Sequence, residues 1–266
     1  MEAIINGIKI FYETRGEGEP TILVHGLGAS HLLWMPQINV FPEHFKTIYF
    51  DLRGHGFSEV PEGEYTISDY VEDLKGLMDH LGIDSANICG VSMGGMISLD
   101  FAVKYPDRVN KLVLVGTAAS TDDFKPDMRD MFLKDAEIVE KHKTRAVTAD
   151  QFISTVYSKK FLETVPKETL EQIKERISKA PYLGYVRAVR GLLLKGWSVE
   201  DKLDKINVPT LITHGTEDVI FGVNAAEKLN IHIKNSLLKL YSVGHVVNVE
   251  AAQAFNELVL RFLKSF

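Results

Sequence analysis

The sequence predicts an α/β fold, a mostly parallel sheet with helices on both faces and one helical insertion. Three observations carry this reading. Short apolar runs of strand length alternate with amphipathic runs of helix length up to Val115, and the alternation resumes at Val208. Between Ser120 and Trp197 the strand pattern disappears and charged, helix-forming stretches dominate. Finally, Gly90-Val91-Ser92-Met93-Gly94-Gly95 joins a strand run directly to a helical run.

The elements follow in order. Ile4 to Glu13 reads as a hairpin turning at Asn6-Gly7, a pair that tolerates the positive φ angles of a two-residue turn. Glu19 to Val24 is a strand ending in His25-Gly26-Leu27-Gly28, and Lys46 to Phe50 is the next inner strand. Thr66 opens a helix with Asp69 three residues on, apolar positions at Ile67, Tyr70, Val71, Leu74, Leu77, Met78 and Leu81, and Gly82 closing it. Ala86 to Cys89 is a short buried strand, Met96 to Tyr105 a helix stopped by Pro106, and Val109 to Val115 another strand. In the insertion, Asp127 to Lys143 and Lys167 to Ala180 read as helices, and Thr148-Ala149-Asp150-Gln151 resembles a capping box. The strands Pro209 to His214 and Ser236 to Tyr241 precede a C-terminal helix. Residues 1–119 and 198–266 are thus expected to form the core domain, and 120–197 a helical cap over the catalytic edge. No internal repeat or low-complexity linker interrupts this plan.

Composition narrows the function classes. The 266 residues suffice for one domain with an insertion and a large core. With 36 acidic against 30 basic residues and no basic block, nucleic-acid binding has no support. The N-terminus lacks the charged start and apolar core of a signal peptide, and no apolar run reaches membrane-spanning length. The cytoplasm is the expected compartment. The single cysteine, Cys89, cannot form an intrachain disulfide and is expected to be a buried apolar residue of its strand.

The chemistry starts at Gly90-Val91-Ser92-Met93-Gly94. A tight turn between strand and helix strains the serine backbone and exposes its hydroxyl at a helix N-terminus, where free N–H groups favour developing negative charge. A glycine-rich turn without chemistry is the plain alternative, and the strand–turn–helix context argues against it. A nucleophilic serine needs a base, and the base needs an orienting acid. Loops at the carboxyl ends of later strands offer Gly215-Thr216-Glu217-Asp218 and Ser242-Val243-Gly244-His245. The chain order Ser92, Asp218, His245 fits a hydrolase of this architecture, with Asp218 preferred to Glu217 by position. Leu27 and Met93 are the expected oxyanion N–H donors, Met93 being the residue after the nucleophile. His25 could serve as a second base, but bracing its loop is the preferred role.

These segments resemble the α/β-hydrolase superfamily over nearly the whole chain. The resemblance rests on His25-Gly26-Leu27-Gly28, Asp51 to Ser58, the Ser92 turn, Pro209 to Asp218, and Gly244-His245. Ser92 to Ile97, Gly116-Thr117-Ala118-Ala119 and His245 to Glu250 are similar to the branch of 3-oxoadipate enol-lactonases and small carboxylesterases. The resemblance implies triad roles for Ser92, Asp218 and His245, oxyanion roles for Leu27 and Met93, and a structural role for Asp51 to Ser58. Serine at 92 departs from the aspartate nucleophile of haloalkane dehalogenases and epoxide hydrolases. Val246 stands where carbon–carbon bond hydrolases usually carry tryptophan, and the triple-glycine oxyanion motif of lipases is absent.

The expectation is a serine carboxylic-ester hydrolase acting on small to medium acyl esters through an acyl-enzyme, without metal or organic cofactor. The alternatives are enol-lactone hydrolysis, cofactor-free perhydrolysis or haloperoxidase-like chemistry, and a hydrolase-fold receptor or binding module. The expected partner is a small ester or lactone, with neither nucleic acid nor membrane; a homodimer is compatible with the chain. In the insertion, Met128, Met131, Phe132, Phe152, Phe161, Tyr182, Tyr185, Leu192, Leu193 and Trp197 are candidates for pocket lining, although each is more readily read as packing. No basic cluster is evident there; Arg145 or Arg187 would supply a cation to an anionic substrate only by pointing inward.

Overall fold

A computed structural model describes residues 1–265 and gathers eight strands into one sheet. The strands are β1 (Glu2–Ile5), β2 (Ile8–Arg15), β3 (Pro20–Val24), β4 (Lys46–Phe50), β5 (Ala86–Val91), β6 (Val109–Val115), β7 (Thr210–Gly215) and β8 (Ser236–Tyr241). Their order across the sheet is β1-β2-β4-β3-β5-β6-β7-β8. The pairs β1–β2 and β2–β4 are antiparallel, and every other pair is parallel. The hairpin turns at Asn6 and Gly7, with φ of 49° and 80°, as the dipeptide predicts.

Every residue of β5 and β7 is buried. Side chains of a strand alternate between faces, so continuous burial means that both faces are covered. The helices responsible include α1 (Ile67–His80) and α2 (Met93–Lys104), which pack on each other and, for α2, on β5 and β6. The Thr66–Asp69 capping box forms with both reciprocal bonds. At the far edge β8 is largely exposed on alternating residues, and Lys239 lies there.

Between β6 and β7 come α3 (Pro126–His142), α4 (Ala149–Val156), α5 (Lys159–Thr164), α6 (Lys167–Lys179) and α7 (Tyr182–Leu193). The two ends of this segment are stitched together. Thr121 donates its N–H to the Trp197 carbonyl at 2.8 Å, Val199 donates to Ala119 at 2.9 Å, and Ser120 bridges Ser198. Thr148 precedes α4 as expected, but the capping box does not form. Its φ and ψ of −123° and 4° lie outside the extended region of a capping residue, and its buried hydroxyl has no partner. The helices α8 (Val223–His232) and α9 (Ala252–Lys264) complete the chain. No helix of the described residues is long and apolar enough to cross a membrane.

Candidate active site

Ser92 sits between β5 and α2 with φ 55° and ψ −120°, a conformation that costs a non-glycine residue on the order of 1–3 kcal/mol and persists only where its surroundings enforce it. They do so here. The Ser92 N–H donates to the Val115 carbonyl at 2.9 Å, and its own carbonyl accepts from the Thr117 hydroxyl at 2.7 Å and the Gly95 N–H at 2.8 Å. The flanking glycines are steric necessities: a Cβ on Gly94 would lie 2.3 Å from the Val24 carbonyl oxygen, and one on Gly90 would lie 2.3 Å from that of Gly94. Strand β3 and helix α2 meet through this gap, which brings the loop after β3 against the serine. Gly26 is close enough that a Cβ there would stand 3.2 Å from Ser92 Cβ.

Asp218 and His245 lie on the loops after β7 and β8. They meet with His245 Nδ1 2.7 Å from Asp218 Oδ2, and both are buried. The other carboxylate oxygen accepts the N–H groups of Ile220 at 2.8 Å and Phe221 at 3.2 Å. Burial opposes ionisation of Asp218, but the His245 and His214 imidazoles and the Ile220 N–H outweigh it and hold the carboxyl below its ordinary range. Glu217 is exposed and makes no contact with the imidazole, whereas Asp218 is held on every side. His214, on β7, is a neighbour that the sequence did not single out, with Nε2 3.4 Å from Asp218 Oδ2. The His245 N–H donates to the Val156 carbonyl at 3.0 Å, so the imidazole loop is tied to the end of α4. Ser92 and His245 open on one cavity. No hydrogen bond joins their side chains.

The loop after β3 is held by histidines. His25 donates Nδ1–H to the Gly26 carbonyl at 2.8 Å and accepts the Leu52 N–H at Nε2, 3.1 Å away, so both nitrogens are engaged in the neutral ring. Burial pushes its pKa down to about 4. His55 accepts the Gly28 N–H at 3.1 Å and donates to Arg53, and burial lowers it to about 3. Asp51 binds the His31 ring and N–H and the Phe57 N–H, which anchors the segment from Asp51 to Ser58. Among the described residues, the Leu27 and Met93 N–H groups have no protein acceptor, and both residues line the cavity with Ser92. Cys89 is fully buried, and burial raises its thiol well above the ordinary range.

The cavity has a volume of about 420 Å³. Of the ten inserted-segment residues considered from sequence, Phe132, Phe152 and Leu192 line it. The remaining walls include Leu27, Phe124, Val156, Tyr157, Ile173, Ile177, Ile220 and Val246, several of them invisible to periodicity because they lie in turns. Contrary to the expectation of no basic cluster, two basic residues of the insertion reach the cavity. Arg176 and Lys179, one turn apart on α6, both reach the wall, and no Asp or Glu lines it. Lys179 pairs with Glu175 at 2.5 Å, while Arg176 has no carboxylate within ion-pair distance among the described residues. Arg145 does point inward but binds the Gly28 carbonyl, and Arg187 binds the Pro61 carbonyl; neither lines the cavity.

Residues 19–252 match the alpha/beta hydrolase fold family. The chain is 29% identical to 3-oxoadipate enol-lactonase 2 of Acinetobacter baylyi over 97% of its own length and 94% of that protein's. Its structure matches an enol-lactonase from Burkholderia xenovorans with a TM-score of 0.91 and 28% identity, covering both chains completely. It also matches a thermophilic esterase from Thermogutta terrifontis, solved with malate bound, with a TM-score of 0.90 and 28% identity over 99% of this chain and 97% of that one.

Proposed function

The chain belongs to the alpha/beta hydrolase fold family and is a hydrolase, and from that premise we propose that it cleaves small to medium carboxylic esters through Ser92, His245 and Asp218. One observation carries the reading: His245, bonded to Asp218 at 2.7 Å, lines the same cavity into which strained Ser92 opens. His245 takes the Ser92 proton as Oγ attacks the ester carbonyl. Asp218 fixes the Nδ1–H tautomer and stabilises the imidazolium. The developing oxyanion accepts the Leu27 and Met93 N–H groups, and collapse expels the alcohol, which is protonated by His245. Water then enters, loses a proton to His245, attacks the acyl-enzyme and releases the acid. The inserted helices act as a cap: they wall the cavity in apolar side chains and keep bulk water from the acyl group.

Enol-lactone hydrolysis is the second reading, and a specific observation favours it. Arg176 and Lys179 line a wall without acids, and Arg176 has no carboxylate partner among the described residues, which suits a lactone bearing a carboxylate. Relatives named for that reaction support it too. Ring opening would use the same attack and the same oxyanion donors, the leaving enolate remaining part of the acyl-enzyme.

A fluorophosphonate probe labels Ser92 if the reading holds, and Ser92→Ala lowers kcat by about 10³-fold or more with the fold intact. Comparing kcat/KM for p-nitrophenyl butyrate and 3-oxoadipate enol-lactone separates the two readings. A lactone value about 10²-fold higher, roughly 2.7 kcal/mol of transition-state stabilisation, makes lactone hydrolysis the function.

A further inference from the structure

Arg145 lies between α3 and α4 and is wholly buried. Its guanidinium carbon sits 3.9 Å from the ring centre of Tyr185 and 4.7 Å from that of Phe152. Nη1 donates to the Gly28 carbonyl at 2.6 Å, while Nε and Nη2 have no protein partner. Asp135 is close enough to act on it electrostatically, but neither of its carboxylate oxygens bonds to it. Such a cation is costly to bury, and an apolar side chain of similar length would fill the same aromatic slot without that cost. Packing therefore does not account for a guanidinium. Beyond its cation–π contacts with the two rings, what the guanidinium does and an apolar side chain could not is hold the carbonyl of Gly28.

That carbonyl matters because of its neighbours. Gly28 follows Leu27, the expected oxyanion donor. Its N–H is held by His55 Nε2 at 3.1 Å and its carbonyl by Arg145, so both peptides flanking it are fixed from opposite sides. Its φ is 68°, which strains any residue but glycine, and a Cβ added there would stand 2.7 Å from Arg145 Nη1, so the guanidinium would have to shift off the carbonyl. His55 belongs to the loop after β4 and Arg145 to the turn between α3 and α4, so the Gly28 loop is held by both.

We infer that Arg145 is a positioning residue that orients the Leu27 N–H for the oxyanion by clamping the Gly28 carbonyl from the turn between α3 and α4. The inference rests on the ester-hydrolysis reading. Removing an oxyanion donor costs about 10²–10³-fold in kcat, and loosening one costs less, about 10–10²-fold. Arg145→Met tests it, combined with Asp135→Asn so that no lone carboxylate stays buried. The expected result is a kcat about 10–10²-fold lower with KM within about threefold of wild type. Butylboronic acid, whose serine adduct carries an oxygen where the oxyanion forms, should lose affinity in proportion to kcat. Arg145→Lys, which keeps a charged donor, should recover part of both. If the methionine variant does not fold, Arg145→Gln, too short to reach the carbonyl, is read by the same three measurements. A folded methionine or glutamine variant with kcat within twofold of wild type, or with a raised KM alone, overturns the assignment. Ser92→Ala run alongside separates the two failures: turnover by that variant overturns the serine reading itself, whereas its inactivity beside a fully active Arg145 variant overturns only the clamp.

Discussion

Replacing Asp218 by Asn is the most informative change to the site, because it preserves shape and reverses one hydrogen bond. The carboxylate accepts from His245 Nδ1 at 2.7 Å through one oxygen and from the Ile220 and Phe221 N–H groups at 2.8 and 3.2 Å through the other. An asparagine can satisfy the two backbone donors only with its carbonyl oxygen. That orientation turns its NH₂ group toward His245, where a donor meets a donor. The imidazole escapes by moving its proton to Nε2, leaving Nδ1 to accept, and Nε2 can then no longer take the serine proton. The loss of the matching tautomer, together with the charge that steadies the imidazolium, is expected to lower kcat by about 10⁴-fold, or roughly 5 kcal/mol in the barrier. Glu217→Gln, at an exposed side chain without contact to the ring, should stay within about threefold of wild type. The assay is p-nitrophenyl butyrate hydrolysis on both purified variants, with circular dichroism to confirm the fold. An asparagine variant within tenfold of wild type, or a larger loss in Glu217→Gln, refutes the assignment of the acid.

Stability should fall on acidification, because burial holds His25 and His55 neutral: their pKa values drop from 6.5 to about 4 and about 3, so the stability they confer is full above 6.5 and is lost progressively below it. At pH 5 both rings remain neutral in the fold while the unfolded chain takes up protons about 1.5 units below its own pKa, a cost of about 2 kcal/mol each, which urea unfolding at pH 8 and pH 5 would detect and an unchanged midpoint would contradict. Arg176→Gln should raise KM for 3-oxoadipate enol-lactone by about fivefold and leave p-nitrophenyl butyrate unchanged, whereas equal effects on both would show that Arg176 does not read the carboxylate.

What was legible in the sequence was local. The Asn6-Gly7 hairpin, the Thr66 capping box and the glycines around Ser92 each encode a backbone geometry within a few residues, and each forms as read. The Asp218–His245 contact spans 27 positions, yet chain order and the loops expected at the carboxyl ends of two later strands carried it, and those strands turn out to be adjacent and parallel. The inserted helices were different. Periodicity says that Tyr185 is buried but not which neighbours cover it, and Tyr185 turns out to stack on Arg145 rather than line the cavity. Thr148 fails as a cap for a related reason: a capping box is a local signature, and here the backbone entering α4 leaves the extended region that the signature requires. Arg176 and Lys179 looked like solvated residues on a charged helix, and by exposure they are; only the placement of α6 at the cavity makes them wall residues. The proposed catalytic geometry is therefore written in strand ends and turns, which sequence reveals. The proposed substrate preference rests on how one helix lies against the cavity, which depends on contacts among distant segments. That division is why the serine chemistry is common to both functional readings, and why the choice between a neutral ester and an anionic lactone turns on Arg176.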